Sequence, residues 1–295
     1  MKILVIGGDG MLGHQLLSQW QNRHDVWVTV RRPLGHYAGH ELFKQSNTFP
    51  LVDVRDLVAV RNAITQSKAD AVINCAGIIK QRDEAHQVES TLEVNAIFPH
   101  RLQKLCESFD CKLIHLSTDC VFSGKRGNYS QEEPCDVSEV YGLSKYLGEL
   151  RVGSALTLRT SIIGLEIARK LSLVEWFLAQ QGPVRGFTHA IYSGLTTESL
   201  GDLMEHILTH HPNLSGLWHA ASKPISKYEL LLRLSSLLER RDIEIIPDHE
   251  FRCNRSLDGT PLERRLGYTV PSWDSMLERL AQQVTHRKMR RLHAA

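Results

Sequence analysis

The N-terminal segment most constrains the fold, because an apolar run leads directly into a glycine-rich turn. Residues Lys2–Ile6 show no alternation of polar and apolar side chains, which is typical of a central strand in a parallel sheet. Glycines follow at positions 7, 10 and 13, and the next apolar residues have helical spacing: Leu12, Leu16, Leu17 and Trp20. A strand, a tight turn and a helix N-terminus in this order predict a binding site for the pyrophosphate of a dinucleotide. The alternative is a glycine-rich turn that binds nothing.

A second pattern, near the middle of the chain, combines a hydroxyl group, a phenol and an ammonium. The apolar run Lys112–Ser117 reads as a buried parallel strand and leads to Thr118. Tyr141 and Lys145 are four residues apart in a segment, 138–150, that is predicted to be helical, so both lie on one face. We expect the lysine to lower the pKa of the phenol, which would make Tyr141 a proton donor to a carbonyl. The alternative is a surface tyrosine and lysine that share a helix face.

The end of the second predicted strand indicates which nicotinamide cofactor fits. NAD sites usually place an acidic residue there to bind the ribose 2′-hydroxyl. This strand instead ends in Arg31 and Arg32, whose guanidinium groups suit a 2′-phosphate. The pattern favours NADPH, with NADH as the alternative, unless both arginines are simply solvated loop residues.

Together these motifs resemble the extended short-chain dehydrogenase/reductase family. The resemblance implies that Thr118, Tyr141 and Lys145 are catalytic and that Lys145 also holds the nicotinamide ribose. Residues 70–77 resemble the family's fourth strand and the turn along the cofactor, and residues 93–99 resemble the helix whose asparagine supports the active site. The cofactor-binding residues implied are Gly7, Gly10, Met11, Leu12, Gly13, Arg31, Arg32, Asp53, Val54, Cys75, Ala76, Gly77 and Asn95, with Asp53 and Val54 at the adenine.

Within that family the sequence is most similar to the dTDP-4-dehydrorhamnose reductases. The similarity rests on residues 117–124, on the segment from Tyr141 to Glu149, and on residues 158–161 and 225–229. It implies NADPH-dependent reduction of the 4-keto group of a nucleotide-activated 6-deoxyhexose, in the synthesis of cell-surface polysaccharide precursors. Two substrate-side positions depart from the pattern, because Cys120 replaces a tyrosine and Ile162 a tryptophan.

Three residues are therefore candidates for the substrate side, and two other functions stay open. Cys120 and Ile162 would lie near the sugar, and Arg255 would meet the diphosphate, unless it forms an ordinary surface salt bridge. The first alternative function is a reductase or epimerase of a UDP-linked, N-acetylated 4-keto sugar. The second is a non-catalytic NADP-binding regulatory subunit, since the regulatory subunit of methionine adenosyltransferase resembles the same reductases.

Length and pattern predict the domain organisation. The chain has 295 residues, enough for an ample core. We expect an α/β fold, with a Rossmann-like doubly wound parallel sheet and a smaller C-terminal substrate-binding domain. The predicted boundaries are 1–164 for the NADP(H)-binding domain and 165–295 for the substrate-binding domain, with segments near 188–222 rejoining the first.

Composition bounds the partners and the location. The net charge of +2 argues against a dedicated nucleic-acid binder, and the basic stretch 286–291 is expected to be a frayed, solvated terminus. No run approaches the 18 apolar residues of a membrane span, and no signal peptide is recognised, so the six cysteines are expected to be reduced thiols in a cytoplasmic protein. The 15 histidines form no metal-binding motif. The expected partner is a nucleotide-sugar, with neither nucleic acid nor membrane, and a homodimer is left open.

Overall fold

A computed structural model describes residues 1–79, 87–167 and 171–293 of the chain, and its centre is a parallel sheet of seven strands. The strand order is β10-β6-β5-β4-β1-β2-β3. The strands are β1 (Lys2–Ile6), β2 (Asp25–Thr29), β3 (Thr48–Phe49), β4 (Ala71–Asn74), β5 (Lys112–Thr118), β6 (Leu156–Thr160) and β10 (Gly216–His219).

The two faces of this sheet bury different side chains of the same strand, as alternation along a strand requires. In β1, Ile3 and Val5 face one core cluster, and Leu4 and Ile6 face the other. All four are at most 1% exposed, which explains why the run is continuously apolar. The helices of the first half that flank the strands are α1 (Met11–Trp20), α2 (Leu57–Ser67), α3 (Val88–Leu92), α4 (Phe98–Ser108) and α5 (Val140–Leu147). The predicted α/β architecture with a doubly wound parallel sheet is therefore confirmed.

The order of the strands reverses between β1 and β4, since the chain first builds outward through β2 and β3 and then returns to the other side of β1. Such a switch point leaves a crevice beyond the carboxyl ends of the strands, where ligands bind in open α/β sheets. The glycine turn after β1 and the residues that follow β4 and β5 all lie at this edge.

In the described part of its second half, the chain adds two small sheets and five helices. The three-stranded sheet has the order β11-β8-β12, and the two-stranded sheet pairs β7 with β9. The strands are β7 (Ile162–Ile163), β8 (Val184–Tyr192), β9 (Leu195–Thr196), β11 (Ile225–Ser226) and β12 (Ile245–Asn254), and the helices are α6 (Leu173–Ala179), α7 (Thr197–His210), α8 (Lys227–Leu237), α9 (Thr260–Leu266) and α10 (Trp273–His293).

Part of this second half returns to the main sheet. β10 pairs with β6 in parallel, and α7 packs against α1, where the Gln19 side chain donates to the Asp202 carboxylate at 2.5 Å. The division at residue 164 remains a prediction, and residues 80–86 of its first part and 168–170 and 294–295 of its second part lie outside the described residues.

The expectation of a frayed, solvated C-terminus was wrong for the backbone and for Arg287, although His286, Lys288 and Met289 are exposed. Helix α10 continues to His293, and the guanidinium of Arg287 forms an ion pair with the buried carboxylate of Glu175 on α6. Tertiary pairing of this kind is not readable from a run of basic residues. No helix in the described part of the chain combines the length and the apolar character of a membrane-spanning segment.

Candidate active site

The glycine turn brings main-chain atoms close together at the N-terminus of α1. A Cβ atom at Gly13 would collide with the carbonyl oxygen of Gly7, so only glycine allows this approach. Gly10 is the N-cap residue of α1 and provides no side-chain cap, so the first amides of the helix stay available to an anion. Met11 and Leu12 form the first positions of the helix. The turn therefore fits the pyrophosphate that the glycine spacing predicts.

Thr29 and Tyr37 also shape this turn, and neither was identified from the sequence. The Gly7 amide donates to the Thr29 hydroxyl at 3.2 Å, which ties the turn to the end of β2. The Tyr37 phenol donates to the Asp9 carboxylate at 2.8 Å, and burial raises the pKa of that phenol. A cavity of about 660 Å³ lies along residues 34–44, with Tyr37 and Phe43 in its wall. The pairing of Asp9 with Tyr37 spans 28 residues and leaves no local sequence signal.

The two arginines after β2 are available to a ligand. Arg31 and Arg32 are exposed, and within the described ranges neither side chain has an ion-pair partner. Asp53, by contrast, is bound by Arg55 through two side-chain hydrogen bonds of 2.9 and 2.7 Å, which hold the pKa of its carboxyl below the usual value. An adenine at Asp53 and Val54 would therefore meet a carboxylate that is already paired, and that assignment stays a prediction.

The turn after β4 is held by asparagine side chains. The Ala76 amide donates to the Asn74 side chain at 3.2 Å, and the Asn74 amide group donates to Nδ1 of His115 at 3.0 Å. Burial keeps the pKa of His115 well below its usual value, so the ring is neutral. Cys75, Ala76 and Gly77 follow at the sheet edge, and burial raises the pKa of the Cys75 thiol.

Asn95 joins this turn to the helix that carries Tyr141. Its side chain exchanges two hydrogen bonds of 2.9 Å with the main chain of Ile78 and donates to the Ser144 hydroxyl at 3.1 Å. Asn95 lies in a π-helical segment, Glu93–Ile97, and a Cβ atom at Gly148 would collide with its carbonyl oxygen. The asparagine predicted to support the site is thus almost fully buried between the cofactor-side turn and α5.

Thr118 and Tyr141 come together at the end of β5. Thr118 is the last residue of the strand, and its hydroxyl accepts from the Cys120 amide at 3.1 Å. Burial raises the pKa of the Tyr141 phenol, while a hydrogen bond with Thr118 and the charge of Arg255 lower it. Lys145 does not produce the expected lowering, so that part of the sequence-based prediction was wrong. The phenol is protonated at neutral pH, which is the state a proton donor needs.

Lys145 points towards the sheet. Its ammonium donates to the Leu116 carbonyl oxygen at 2.5 Å, and burial lowers its pKa to about 8, against the raising effect of Glu149 and Cys75. The expected lowering of the Tyr141 pKa by Lys145 fails for a geometric reason, because the ammonium donates its hydrogen bond to a main-chain carbonyl of β5. Lys145 lies beside the Cys75 turn, where the resemblance places the nicotinamide ribose.

The structure brings two of the three substrate-side candidates into contact. The Arg255 guanidinium donates to the Cys120 sulfur at 3.6 Å, and burial raises the pKa of that thiol to about 12. Ile162 lies in β7, opposite Leu195, and packs half-buried against the main core. The third candidate, Ile162, is thus described by its contacts with Leu195 and the core, and its place beside the sugar stays a prediction.

A buried ion pair beneath the site was not recognised as such from the sequence. The Glu149 carboxylate accepts from Arg159 at 2.6 and 2.8 Å and from the Ser117 hydroxyl at 2.8 Å. Both charged side chains are fully buried, and Arg159 also contacts Nε2 of His219 at 3.3 Å. The network joins β5, β6 and β10 to the end of α5, so it fixes the strand that ends in Thr118.

All six cysteines are free thiols. Across the described ranges, 1–79, 87–167 and 171–293, no cluster of three or more histidine, cysteine or acidic side chains could hold a metal ion.

Comparison with solved structures agrees with this fold. A dTDP-4-dehydrorhamnose reductase from Bacillus anthracis, solved in complex with NADP, superposes with a TM-score of 0.76 at 20% identity, covering 95% of this chain and 98% of the other. At this identity the match establishes the fold alone.

Sequence comparison identifies the family. A dTDP-4-dehydrorhamnose reductase from Streptomyces griseus is 30% identical over 150 residues, which are 50% of this chain and 44% of that protein. The spore coat polysaccharide biosynthesis protein SpsK of Bacillus subtilis is 24% identical over 250 residues, or 82% of this chain and 80% of the relative. The chain thus spans less than half the length of the first of these relatives. The model of the RmlD substrate binding domain family matches residues 1–286, so the chain belongs to that family.

Proposed function

We propose that this chain reduces the 4-keto group of a nucleotide-activated 6-deoxyhexose with NADPH, in the synthesis of polysaccharide precursors. The observation that carries the proposal is the nearness of the Thr118 hydroxyl to a protonated Tyr141 phenol, at the same edge of the sheet as the glycine turn and the switch point. Relatives named as reductases of such sugars support the choice of substrate class.

The residues of the site fit the cofactor. The close main-chain approach at Gly13 and the uncapped start of α1 would receive the pyrophosphate, and Arg31 and Arg32 would bind the 2′-phosphate. NADPH, when bound, supplies the hydride. Lys145 and the turn at Cys75–Gly77 would hold its nicotinamide end beside Thr118.

The chain's own contribution to the reaction is proton transfer and positioning. Tyr141 would donate its proton to the oxygen of the developing alkoxide, and Thr118 would hydrogen-bond the same oxygen. The interaction with the Thr118 hydroxyl and the positive charge of Arg255 both lower the pKa of Tyr141, so both favour the phenolate that it becomes. The hydrogen bonds of Asn95 to Ile78 and Ser144, together with the Glu149–Arg159 ion pair, keep β5 and α5 in fixed positions during this step.

The test is NADPH oxidation by the purified chain with a panel of dTDP- and UDP-linked 4-keto-6-deoxy sugars. We expect turnover with the plain dTDP-linked sugar. Exclusive turnover of a UDP-linked N-acetylated sugar would favour the alternative reductase, and NADP binding without any turnover would favour a regulatory subunit. A cytoplasmic location and a homodimer are further parts of the proposal, tested by fractionation and by sedimentation.

A further inference from the structure

The segment that follows β12 is locked onto the loop that follows the catalytic strand. The Asn254 amide donates to the Gly124 carbonyl at 2.6 Å, and the Asn128 amide donates to the Ser256 hydroxyl at 2.8 Å. A Cβ atom at Gly124 would lie 2.5 Å from the Cys253 sulfur and 3.1 Å from Cγ of Arg255, so glycine is needed for this contact. Arg255 is therefore held in one place by hydrogen bonds of the residues on both sides of it.

The guanidinium of Arg255 lies over the end of β5. Its Nε donates to the Phe122 carbonyl at 2.8 Å, and its Nη1 donates to the Cys120 sulfur at 3.6 Å. Across the described ranges Arg255 has no ion-pair partner, and its Nη2 donates no hydrogen bond. A half-buried guanidinium with one end fixed and the other unpaired is suited to donate to a ligand.

The contact with Cys120 places the guanidinium of Arg255 near the reacting group, and the charge of Arg255 acts to lower the pKa of the Tyr141 phenol. Cys120 is two residues after Thr118, and a Cβ atom at Gly142 would collide with the Cys120 carbonyl oxygen. Gly142 directly follows Tyr141 in the chain. Cys120, which Arg255 contacts, is therefore packed against the neighbour of the proton donor. Asp119, the buried residue between Thr118 and Cys120 in the chain, also interacts with the charge of Arg255.

We propose that Arg255 determines specificity at the sugar end of the substrate by donating from its guanidinium to an oxygen next to the reacting carbonyl. The inference rests on the proposed function and replaces the expectation that Arg255 meets the diphosphate. In a 6-deoxy sugar, the C5 neighbour of the keto carbon carries a methyl group, so the acceptor is the substituent on C3. The substrate class is thus a 4-keto-6-deoxyhexose with a free 3-hydroxyl group.

The kinetic test compares the 3-hydroxy substrate with its 3-deoxy analogue in the wild type and in Arg255→Met. We expect the wild type to prefer the 3-hydroxy sugar by about 10- to 100-fold in kcat/KM, as for one hydrogen bond to a charged group. The variant should lose most of this preference. Arg252→Met, on the exposed part of β12, is the matched control and should retain it. An equal loss for both sugars in Arg255→Met would overturn the proposal.

A binding test separates this proposal from the proposed function. Calorimetry on the NADP complex measures the affinities for dTDP and for dTDP-rhamnose. In Arg255→Met we expect the affinity for dTDP-rhamnose to fall by about tenfold or more and the affinity for dTDP to stay unchanged. Equal weakening of both ligands would assign Arg255 to the diphosphate. Thermal melting checks that the variant folds, and Arg255→Lys should restore part of the sugar affinity. If the wild type reduced no 4-keto sugar, the proposed function would fail while this comparison still tested Arg255.

Discussion

The ammonium of Lys145 donates a hydrogen bond to the carbonyl oxygen of Leu116 at 2.5 Å, which joins α5 to the strand that ends in Thr118. The bond gives the lysine a main-chain partner on β5, although Tyr141 and Lys145 leave the same helix. Burial is the main reason that the pKa of Tyr141 is raised; Cys120 and Asp119 raise it further, and Thr118 and Arg255 act to lower it. The proton donor and the buried ammonium thus occupy separate environments on one helix.

Replacing Tyr141 with phenylalanine should remove the proton donor without disturbing the fold. We expect turnover to fall by roughly 10²- to 10⁴-fold, while NADPH affinity stays nearly unchanged. Steady-state kinetics and a cofactor titration measure the two effects. The control is Tyr146→Phe in the same helix, where the ring packs on Arg151 and no loss of turnover is expected. Near-normal turnover in Tyr141→Phe would mean that another group is the acid.

The pKa of Lys145 predicts a pH dependence of stability in the ligand-free protein. Burial lowers this pKa from 10.5 to about 8, so between these values the unfolded chain binds more protons than the folded one. The charged lysine therefore destabilises the fold below pH 8, and the penalty disappears as the pH rises towards 10.5.

Lys145→Met has no proton to lose. Relative to this variant, the wild type should gain roughly 2–3 kcal/mol in the free energy of unfolding between pH 7 and pH 10. Urea denaturation at the two pH values measures the difference. A constant difference between the two proteins would show that the pKa of Lys145 is the same in both states.

Arg31 and Arg32 should select NADPH over NADH. Replacing both with alanine should weaken the binding of NADPH by about 1.5–3 kcal/mol and leave the binding of NADH almost unaffected, because only NADPH carries the 2′-phosphate. The matched control is the double replacement of Arg264 and Arg265, an adjacent pair that is also exposed. Fluorescence titration with both cofactors decides the matter, and equal weakening of the two would contradict a phosphate clamp.

Some of the site was predictable because its signals are local. The run from Lys2 to Gly13 contains strand, turn and helix in continuous order, and Thr118 is at the end of its strand. These positions need no knowledge of the remaining chain.

The rest depends on contacts between distant segments. Tyr37 meets Asp9 across 28 residues, and Arg255 reaches Phe122 across 133. The partner of Lys145 is a main-chain carbonyl. Every residue has such a group, so the sequence does not indicate which one the lysine will bind. Helical spacing placed Tyr141 and Lys145 on one face, but it could not show that α5 approaches β5 closely enough to satisfy the lysine.

The Glu149–Arg159 pair should be essential for stability because both charges are buried. Arg159→Met would leave a carboxylate without its bidentate partner, and we expect a loss of about 3–5 kcal/mol in the free energy of unfolding. Arg151→Met removes the exposed partner of the same carboxylate and should cost at most about 1 kcal/mol. Denaturant unfolding of the two variants measures both losses in the free energy of unfolding. Similar losses would show that the buried Arg159 stabilises the fold no more than the exposed Arg151.

The side chain of Ile162 is half-buried in β7 against the main core. The reductases that this sequence resembles carry a tryptophan there, so Ile162 and the small Cys120 should together leave more room beside the hexose. Ile162→Trp would fill that room with a flat, rigid ring. We expect it to be tolerated with a plain 4-keto-6-deoxy sugar and harmful with an N-acetylated one.

The penalty for overfilling a packed site is about 1–3 kcal/mol, which changes kcat/KM by roughly tenfold or more. Ile162→Leu keeps the volume and is the control, since it should alter neither substrate's kinetics. Thermal melting must accompany the assay, because part of the side chain contacts the core and a loss of folding would lower both activities. If folded Ile162→Trp changes kcat/KM equally for the two sugars, position 162 does not select the substrate, and the room beside the hexose is set by Cys120 and Arg255 instead.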